Sequence, residues 1–368
     1  MKKRKRIKNK CYILLLIFTF LCSINVYSQD KQFNSVFTNV GGLTIPTDHY
    51  PQTMIKKYIT QYTSSFGKKQ LYEILDKGEK YRLYIRQELK KRNMPEILEY
   101  LPIVESDYNP IAVSKSGAKG LWQFMENSIK PFLEKTEWID ERYDPWKSTD
   151  AALSKLQDNY NLFKDWPIAI AAYNCGAGAM TRILNNAETK TFWYISEKEL
   201  LRDQSVQYVP KLIAICELIN NNEKYNITLP ELSKSKRYAE YDYITINQKI
   251  SLQRLATELR IEEKTLKELN LALIQNCTPP NYLYKLRLPS GLKESATIAI
   301  QKITANTTNA YIAHKISKGE TLWSIAKTHK VSIKEICKIN NISENHILEL
   351  GKTLYIPKKN TDNKTKEF

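Results

Sequence analysis

The sequence predicts an α+β protein that is mainly helical, in which a long helical region precedes two small strand-helix-helix-strand modules. After a polar stretch that ends near Asp48, residues 51 to 220 contain few glycines and carry apolar residues at helical spacing. Beyond residue 240 the apolar positions recur when position n is set against n+70. A chain of 368 residues is also long enough for two or three domains.

Two helices can be predicted around the middle of the helical region. The apolar spacing from Gln70 to Arg92 predicts one long helix, and Met94-Pro95 ends it. The segment from Glu96 to Val104 predicts a short buried helix, followed by a stop at Asn109-Pro110. We therefore expect Glu105 to lie at or just past a helix end.

The repeat beyond residue 240 predicts two copies of one small α+β module. Each copy closes with an alternating strand that ends in proline, at Pro289 and at Pro357. In the second copy Ser332 and Glu335 have the spacing of a capping box, which would begin its second helix. Equivalent positions in the two copies are Leu252 and Leu322, Leu255 and Ile325, Ala256 and Ala326, Ile261 and Val331, Leu266 and Ile336, Leu269 and Ile339, and Asn270 and Asn340.

The N-terminus predicts a signal peptide over residues 1–28. Ten residues with seven Lys or Arg precede an apolar run from Cys11 to Cys22, which is shorter than a membrane-spanning helix. Val26-Tyr27-Ser28 supplies small residues for cleavage after Ser28. A retained anchor and lipidation at Cys22 are alternatives, although Phe20-Leu21 lacks the small residue that a lipoprotein peptidase needs.

We therefore expect an exported chain in the periplasm or cell envelope, with no stable membrane span after leader removal and with membrane association left open. Loss of seven cationic residues with the leader lowers the formal charge from +17 to +10. No nucleic-acid motif accompanies this charge, so nucleic acid is not an expected partner. Protein partners are unknown.

Neither cysteines nor histidines predict a metal site, and we expect no cofactor. The four cysteines beyond the leader are widely spaced, and sequence cannot rank their three possible pairings, although unpaired buried thiols are favoured. Surface or helix-edge positions are the default for the histidines. The residues concerned are Cys175, Cys216, Cys277, Cys337, His49, His314, His329 and His346.

Three clusters in the helical region carry the strongest functional signal. They are Val104-Glu105-Ser106 with Asn109-Pro110, the run from Ser116 to Phe124, and the run from Ala171 to Gly178. Their order and separation resemble the lysozyme-like catalytic domain of the lytic transglycosylases, particularly the D-type members that carry LysM modules. The resemblance covers about residues 50–220, and it is supported by Asp140 to Pro145 and by Tyr208-Val209-Pro210-Lys211.

The resemblance implies that Glu105 is the catalytic acid/base of a peptidoglycan lytic transglycosylase. Such an enzyme cleaves the β-1,4 bond between N-acetylmuramic acid and N-acetylglucosamine, and the sugar's own C6 hydroxyl attacks to form a 1,6-anhydromuramyl end. Intramolecular attack has a high effective concentration, so one carboxyl can suffice. Glu105 must then be protonated at first, which requires an apolar setting. By resemblance, the substrate-binding residues are Ser106, Gln123, Tyr173, Asn174 and Tyr208.

Ordinary structural explanations compete with several of these assignments. Core tyrosines with satisfied hydroxyls are the alternative for Tyr173 and Tyr208. Tight turns are the alternative for the glycines Gly117, Gly120, Gly176 and Gly178. Core packing is the expectation for the aromatic residues Trp122, Phe124, Trp146 and Trp166. The chain also departs from the family at Gln204-Ser205, where Glu-Thr is common, and at Cys175, where alanine is commoner.

Two other functions remain open at this point. A hydrolysing muramidase would need a second carboxylate, for which Asp107 and Asp144 are candidates, although Asp107 is close to Glu105 in sequence and Asp144 has a helix-capping pattern. An inactive LysM-bearing protein that binds peptidoglycan is the third hypothesis. The retained cluster residues favour the lyase over the inactive protein.

The second copy of the repeat resembles a LysM module over residues 311–357, through the run from Ser317 to Ala326 and Asn340-Asn341. This resemblance implies binding of glycans that contain N-acetylglucosamine, with peptidoglycan strands as the partner. The residues implied are Gly319, Glu320, Thr321, Leu322 and Asn340. In the first copy Lys249-Ile250-Ser251 replaces the corresponding loop, so it is interpreted as a degenerate LysM-like module in which sugar binding and a spacer role are both open.

These observations divide the chain into five segments. The predicted bounds are 1–28 for the signal peptide, 50–220 for the lysozyme-like domain, 221–240 for a linker, 241–290 for the degenerate LysM-like module and 311–357 for the LysM module.

Overall fold

The computed structural model describes residues 36–230, 241–340 and 342–358. They form two compact units, which divide the chain between Glu240 and Tyr241. The predicted signal peptide, the alternative at Cys22 and the linker residues 231–240 lie outside the described residues. Where residues are described, no helix is both long and apolar enough to cross a membrane.

The first unit is a helical bundle preceded by a short hairpin. The hairpin pairs β1, Asn39–Val40, with β2, Leu43–Thr44. The helices that follow are α1 His49–Thr63, α2 Ser65–Lys91, a 3-10 turn Glu96–Tyr100, α3 Leu101–Ser106, α4 Pro145–Phe163, α5 Trp166–Cys175, α6 Ala177–Asn186, α7 Phe192–Glu197 and α8 Asp203–Asn220.

Polar caps begin the helices that surround the centre of this unit. The Asp144 side chain accepts from the backbone N–H groups of Trp146 and Lys147, each at 3.0 Å, at the start of α4. The Asp165 side chain accepts from Ile168 N at 2.8 Å at the start of α5. Each cap satisfies donors that the helix itself leaves free, so the predicted capping role of Asp144 is confirmed.

Two sequence predictions about this unit need correction. The predicted helix from Gln70 begins earlier, at Ser65, because the Ser64 hydroxyl caps it by accepting from Gly67 N at 3.0 Å. The predicted helix from Glu96 to Val104 is a 3-10 turn followed by α3, which continues through Glu105 to Ser106.

The hairpin was expected to be polar, yet it belongs to the core. Four apolar residues of this segment are at most 6% exposed, namely Phe37, Val40, Leu43 and Ile45. The Gln52 side chain holds the segment to α1 by accepting from Phe37 N at 2.9 Å and donating to Phe37 O at 2.8 Å. Isolated hydrophobic residues in an irregular stretch have no periodicity, so sequence pattern gave no signal for this packing.

Packing of the aromatic residues largely follows expectation. Trp122, Phe124 and Trp146 are buried, which confirms the prediction for these three. Trp166 is half-buried and stacks on Tyr160, with ring centroids 4.4 Å apart. The four cysteines are unpaired thiols, as favoured from sequence; Cys216, Cys277 and Cys337 are also buried as expected, whereas Cys175 is only half-buried.

The second unit contains the two predicted strand-helix-helix-strand modules. In the first, β3 Tyr241–Ile246 pairs antiparallel with β4 Tyr284–Pro289 around α9 Leu252–Leu259 and α10 Glu263–Leu269. In the second, β5 Tyr311–Lys315 pairs antiparallel with β6 Thr353–Pro357 around α12 Leu322–His329 and α13 Ile333–Asn340. Helix α11, Lys293–Ala310, lies between them in the chain and packs on α9 and β3.

One asparagine in each module performs the same structural task, as the repeat predicts. The Asn340 amide donates to Tyr355 O at 2.7 Å, and its carbonyl accepts from Tyr355 N at 2.8 Å. Asn270 makes the matching pair of bonds with Arg287 at 2.8 and 2.9 Å. Each asparagine therefore ties the end of the second helix to the closing strand.

Candidate active site

Glu105 lies in the last turn of α3, a short helix that is anchored on its apolar side. Leu101 and Ile103 are at most 1% exposed, whereas Glu105 is half-buried. The chain then turns sharply, because Asp107 and Tyr108 both adopt the left-handed conformation, at φ of 51° and 55°. This turn ends α3 and leaves the carboxyl at the end of a rigid element.

Two tyrosines lie beside Glu105, and only one of them bonds to it. Tyr208, on α8, donates its hydroxyl hydrogen bond to Glu105 Oε1. Tyr173, on α5, donates instead to Trp122 O at 2.9 Å. Burial raises the pKa of both tyrosines well above its ordinary value, so both hydroxyls remain protonated donors. Tyr173 thus matches the alternative of a core tyrosine with a satisfied hydroxyl, while Tyr208 contacts the candidate acid.

The surroundings of Glu105 favour its protonated form at a higher pH than is usual for a carboxyl. Burial raises the pKa of Glu105 to about 7. The hydrogen bond from Tyr208 and the positive charges of Lys155 and Lys211 all favour the carboxylate, and they limit this rise. A carboxyl that is poised near the ambient pH can both give and accept a proton, as general acid–base chemistry requires.

Ser106 and Gln123 hold backbone near the site in this structure. The Ser106 hydroxyl donates to Leu121 O at 2.8 Å and so ties α3 to the neighbouring loop. Gln123 has a left-handed backbone, at φ of 48°, and its amide donates to Gly120 O at 2.8 Å. Both side chains are half-buried beside the loop that carries Trp122.

Of the four glycines predicted to make tight turns, two lie in this loop, at Gly117 and Gly120, and Gly176 lies between α5 and α6. Gly117, Gly120 and Gly176 have positive φ, at 87°, 81° and 88°. Gly178 lies inside α6 and not in a turn, so the turn explanation is wrong for it. A side-chain carbon at Gly120 would lie 1.8 Å from Arg142 O, so this position also requires glycine for close approach.

Asn174 is positioned by a residue where the chain departs from its family. The Ser205 hydroxyl donates to Asn174 Oδ1 at 2.8 Å, which joins α5 to α8. Ser205 is buried and Asn174 is half-buried, whereas Gln204 is exposed. The amide group of Asn174 retains its N–H donors for another partner.

The two candidates for a second carboxylate differ in their environment. Asp144 is 2% exposed, and its oxygen accepts two backbone hydrogen bonds at the start of α4. Asp107 is exposed and follows Glu105 by two residues. Asp144 is therefore committed to a structural task, and Asp107 remains the alternative that experiment must address.

The two half-buried lysines near Glu105 were missed as site residues. Lys211 belongs to a cluster already quoted for its resemblance, so that cluster could have drawn attention to it. Lys155 gave no such signal, because a lysine in an amphipathic helix is usually interpreted as a residue of the solvated face. The fold instead places its ammonium 4.9 Å from the ring centre of Tyr173.

The glycan-binding residues predicted in the second module have defined structural contacts. Glu320 accepts from Ser317 N and pairs with His314 Nε2, both at 2.7 Å. The Thr321 hydroxyl caps α12 by accepting from Ser324 N at 3.1 Å. Leu322 is in the module core and 6% exposed, whereas Gly319 has a positive φ of 85° in the exposed loop.

Two smaller sequence predictions in this module can be compared with the structure. His314 was expected at the surface or a helix edge, but it lies on β5 with its side chain only 20% exposed. The capping box is confirmed, because Ser332 N donates to Glu335 Oε2 at 2.9 Å and Glu335 N donates to Ser332 Oγ at 3.2 Å. Within the described ranges, no three His, Cys, Asp or Glu side chains are grouped so as to hold a metal ion.

Comparisons with known proteins match three parts of the chain. The family described as Transglycosylase SLT domain matches residues 82–196. The family described as Lytic transglycosylase MltD, LysM-like domain matches residues 240–305, a range that includes much of α11. The LysM domain family matches residues 314–357.

Relatives and one solved structure are similar to parts of the chain. Membrane-bound lytic murein transglycosylase D of Escherichia coli, in strains K12 and O6:H1, is 30% identical over 292 residues, which are 75% of this chain and 63% of that protein. Membrane-bound lytic murein transglycosylase C of Edwardsiella ictaluri is 36% identical over 96 residues, or 22% of this chain and 27% of that protein. The X-ray structure of an inactive mutant of lytic transglycosylase Slt from Pseudomonas aeruginosa is 22% identical, with a TM-score of 0.33, and covers 43% of this chain and 26% of that one.

An SLT domain followed by two LysM-type modules, one of them of the kind described for lytic transglycosylase MltD, points to a class of lytic transglycosylases. Over 75% of its length, the chain is similar to the membrane-bound D type of this class. It spans 63% of the length of the D-type relatives that it matches.

Proposed function

We propose that this chain cleaves the β-1,4 bond between N-acetylmuramic acid and N-acetylglucosamine in peptidoglycan and leaves 1,6-anhydromuramyl ends. The observation that carries the proposal is the environment of Glu105, whose pKa is raised to about 7 by burial while Tyr208 donates to its carboxyl. A half-buried carboxyl of this kind is protonated often enough to act as an acid and can serve as a base afterwards.

The proposed reaction uses Glu105 twice. The protonated carboxyl donates to the departing N-acetylglucosamine oxygen as the glycosidic bond breaks. The C6 hydroxyl of the muramyl sugar then attacks the anomeric carbon, and the Glu105 carboxylate takes its proton. No water and no second carboxylate enter this sequence, and the structural use of Asp144 as a helix cap agrees with that scheme.

We further propose that the other predicted residues assist this reaction. Ser106, Gln123, Tyr173 and Asn174 would line the bound sugar or hold its surroundings, and Tyr208 would hold Glu105. In the second unit, the residues Gly319, Glu320, Thr321, Leu322 and Asn340 would shape a loop that binds glycan strands. The contacts made by Leu322 and Asn340 support an indirect role for these two, through the module fold.

We also propose the location and the division of the chain that follow from this function. The chain would be exported through a leader at 1–28 and would act on peptidoglycan in the periplasm or cell envelope. Its parts would be a catalytic domain at 50–220, a linker at 221–240, a degenerate LysM-like module at 241–290 and a LysM module at 311–357. The printed names of the D-type relatives, which call them membrane-bound murein transglycosylases, support this location.

The test is to incubate the purified chain with isolated peptidoglycan and to identify the released sugar ends by mass spectrometry. We expect anhydromuramyl ends from the unchanged protein and from Asp107→Asn, and none from Glu105→Gln. Reducing ends that disappear in Asp107→Asn would indicate a muramidase instead. Binding of peptidoglycan without release by any variant would indicate the inactive binding protein.

A further inference from the structure

Lys155 has an unusual position for a lysine on the helix α4. Its ammonium nitrogen lies 4.9 Å from the ring centre of Tyr173 and 5.6 Å from that of Phe124. The two rings themselves meet edge to face, with centroids 6.2 Å apart. The side chain is half-buried on this aromatic surface, so its charge is held close to the interior and away from bulk water.

This ammonium lacks the usual compensation for burial. Among the described residues, no carboxylate or other acceptor lies within hydrogen-bond distance of it. Burial lowers the pKa of Lys155, and the one charge that opposes this effect is that of Glu105. A half-buried cation without a bonded partner favours any negative charge that forms nearby.

The other charged and titratable groups around Glu105 do not supply a half-buried positive charge that is influenced by Glu105 alone. Lys211, on α8, is influenced by the charge of Asp107 as well as by that of Glu105. Tyr173 and Tyr208 are neutral donors. The charged and titratable groups described around Glu105 are Lys155 from α4, Tyr173 from α5, Tyr208 and Lys211 from α8, and Asp107 from the turn that follows α3.

We propose that Lys155 is a positioning residue whose unpaired ammonium stabilises the carboxylate that Glu105 becomes after it has donated its proton. This inference rests on the proposed function for its catalytic meaning. During cleavage the proton moves from Glu105 to the leaving oxygen, and the carboxylate persists until the C6 hydroxyl returns a proton to it. Lys155 stabilises the Glu105 carboxylate during this time because its positive charge is already in place before the reaction begins.

The experiment compares Lys155→Met, Lys155→Arg and the control Lys190→Met in the full mature chain. Methionine keeps an apolar stem against the two rings and removes the charge, whereas arginine keeps the charge. Lys190 is exposed in the loop between α6 and α7. The Glu105 carboxyl is titrated by carbon-13 NMR with labelled glutamate, and Glu105→Gln identifies its resonance.

We expect the Glu105 midpoint to lie near 7 in the unchanged chain, to rise by about half a pH unit or more in Lys155→Met, and to stay near the original value in the other two variants. If Lys155→Met does not fold, Lys155→Gln is titrated in its place. An unchanged midpoint in the variant without the charge overturns the proposal.

Activity on peptidoglycan separates this inference from the proposed function. We expect kcat of Lys155→Met to fall about threefold or more at a pH where Glu105 is protonated, because half a pKa unit corresponds to about a threefold change, with KM little changed and with recovery in Lys155→Arg. A raised midpoint with unchanged kcat would overturn the catalytic role of Lys155. If the unchanged chain releases no anhydromuramyl ends, the proposed function fails, while the titration still decides whether Lys155 acts on Glu105.

Discussion

Gly120 should tolerate no side chain, and Gly117, three residues earlier in the same loop, is its matched control. Both glycines have positive φ, at 81° and 87°, so alanine at either position costs about 1–2 kcal/mol in backbone conformation. At Gly117 a new side-chain carbon meets nothing within 4 Å. At Gly120 it would lie 1.8 Å from Arg142 O, which is a backbone atom and cannot rotate away.

The expected difference between these two variants follows from that overlap. Relief of the clash requires a shift of the loop, and such overpacking costs about 1–3 kcal/mol beyond the conformational term. The two terms together amount to about 2–5 kcal/mol. Because 1 kcal/mol lowers Tm by about 2–4 °C in a domain of this size, we expect Gly120→Ala to unfold about 4–20 °C below the unchanged chain and Gly117→Ala about 2–8 °C below it.

Near-UV circular dichroism during heating measures the comparison, since Trp122 is buried in this loop. A folded Gly120→Ala protein should also lose activity, because the adjoining backbone carbonyls of Leu121 and Trp122 accept from Ser106 and Tyr173. Equal melting temperatures for the two alanine variants would refute the reasoning, since both share the positive φ and only Gly120 has the close contact with Arg142.

Three further predictions concern the acid, its donor and the second module. The pKa of Glu105 is raised to about 7 in the folded state from an ordinary value near 4.5, so the folded state loses stability as pH rises through this interval. In urea unfolding, the free energy of unfolding of Glu105→Gln should therefore equal that of the unchanged chain at pH 4. At pH 8 it should be higher by up to about 2 kcal/mol, after allowance for the partial exposure of Glu105. Tyr208→Phe removes a hydrogen-bond donor to the Glu105 carboxylate, so the pKa of Glu105 should rise. The alkaline limb of the pH–rate profile on peptidoglycan should then move to higher pH. An unmoved limb would count against Glu105 as the acid whose titration this limb reports. Asn340→Ala should lower the stability of the second module by about 1–2 kcal/mol, because the backbone N–H and C=O of Tyr355 lose their partner; calorimetry should show a lower transition for the second unit only.

Local patterns predicted the parts of the fold whose contacts are local or repeated. The 70-residue repeat placed Asn270 and Asn340 at equivalent positions, and both make the same pair of bonds to the closing strand. The S-x-x-E spacing at Ser332 predicted a cap because its two partners lie within one helical turn. Such features depend on neighbours that the sequence itself places together.

The candidate site was only partly accessible to the same reasoning. The clusters around Glu105 indicated it as the candidate acid, but the bond from Tyr208 joins residues 103 positions apart, and no local pattern encodes it. Lys155 was overlooked for the same reason, since its surroundings on Tyr173 and Phe124 exist only after α4 and α5 have packed. The charge environment of an active site is a property of tertiary packing.

The N-terminal hairpin determines where an expression fragment of the first unit can begin. Gly41 O accepts from Ile97 N at 3.1 Å, and a side-chain carbon at Gly41 would lie 2.6 Å from the Cys216 sulfur, so the hairpin fits closely against the turn before α3 and against α8. The SLT match begins only at residue 82. An expression fragment that starts at this boundary would expose Ile97 to water and leave its amide without an acceptor. Fragments intended for crystallisation or inhibitor screening should therefore start upstream of Phe37.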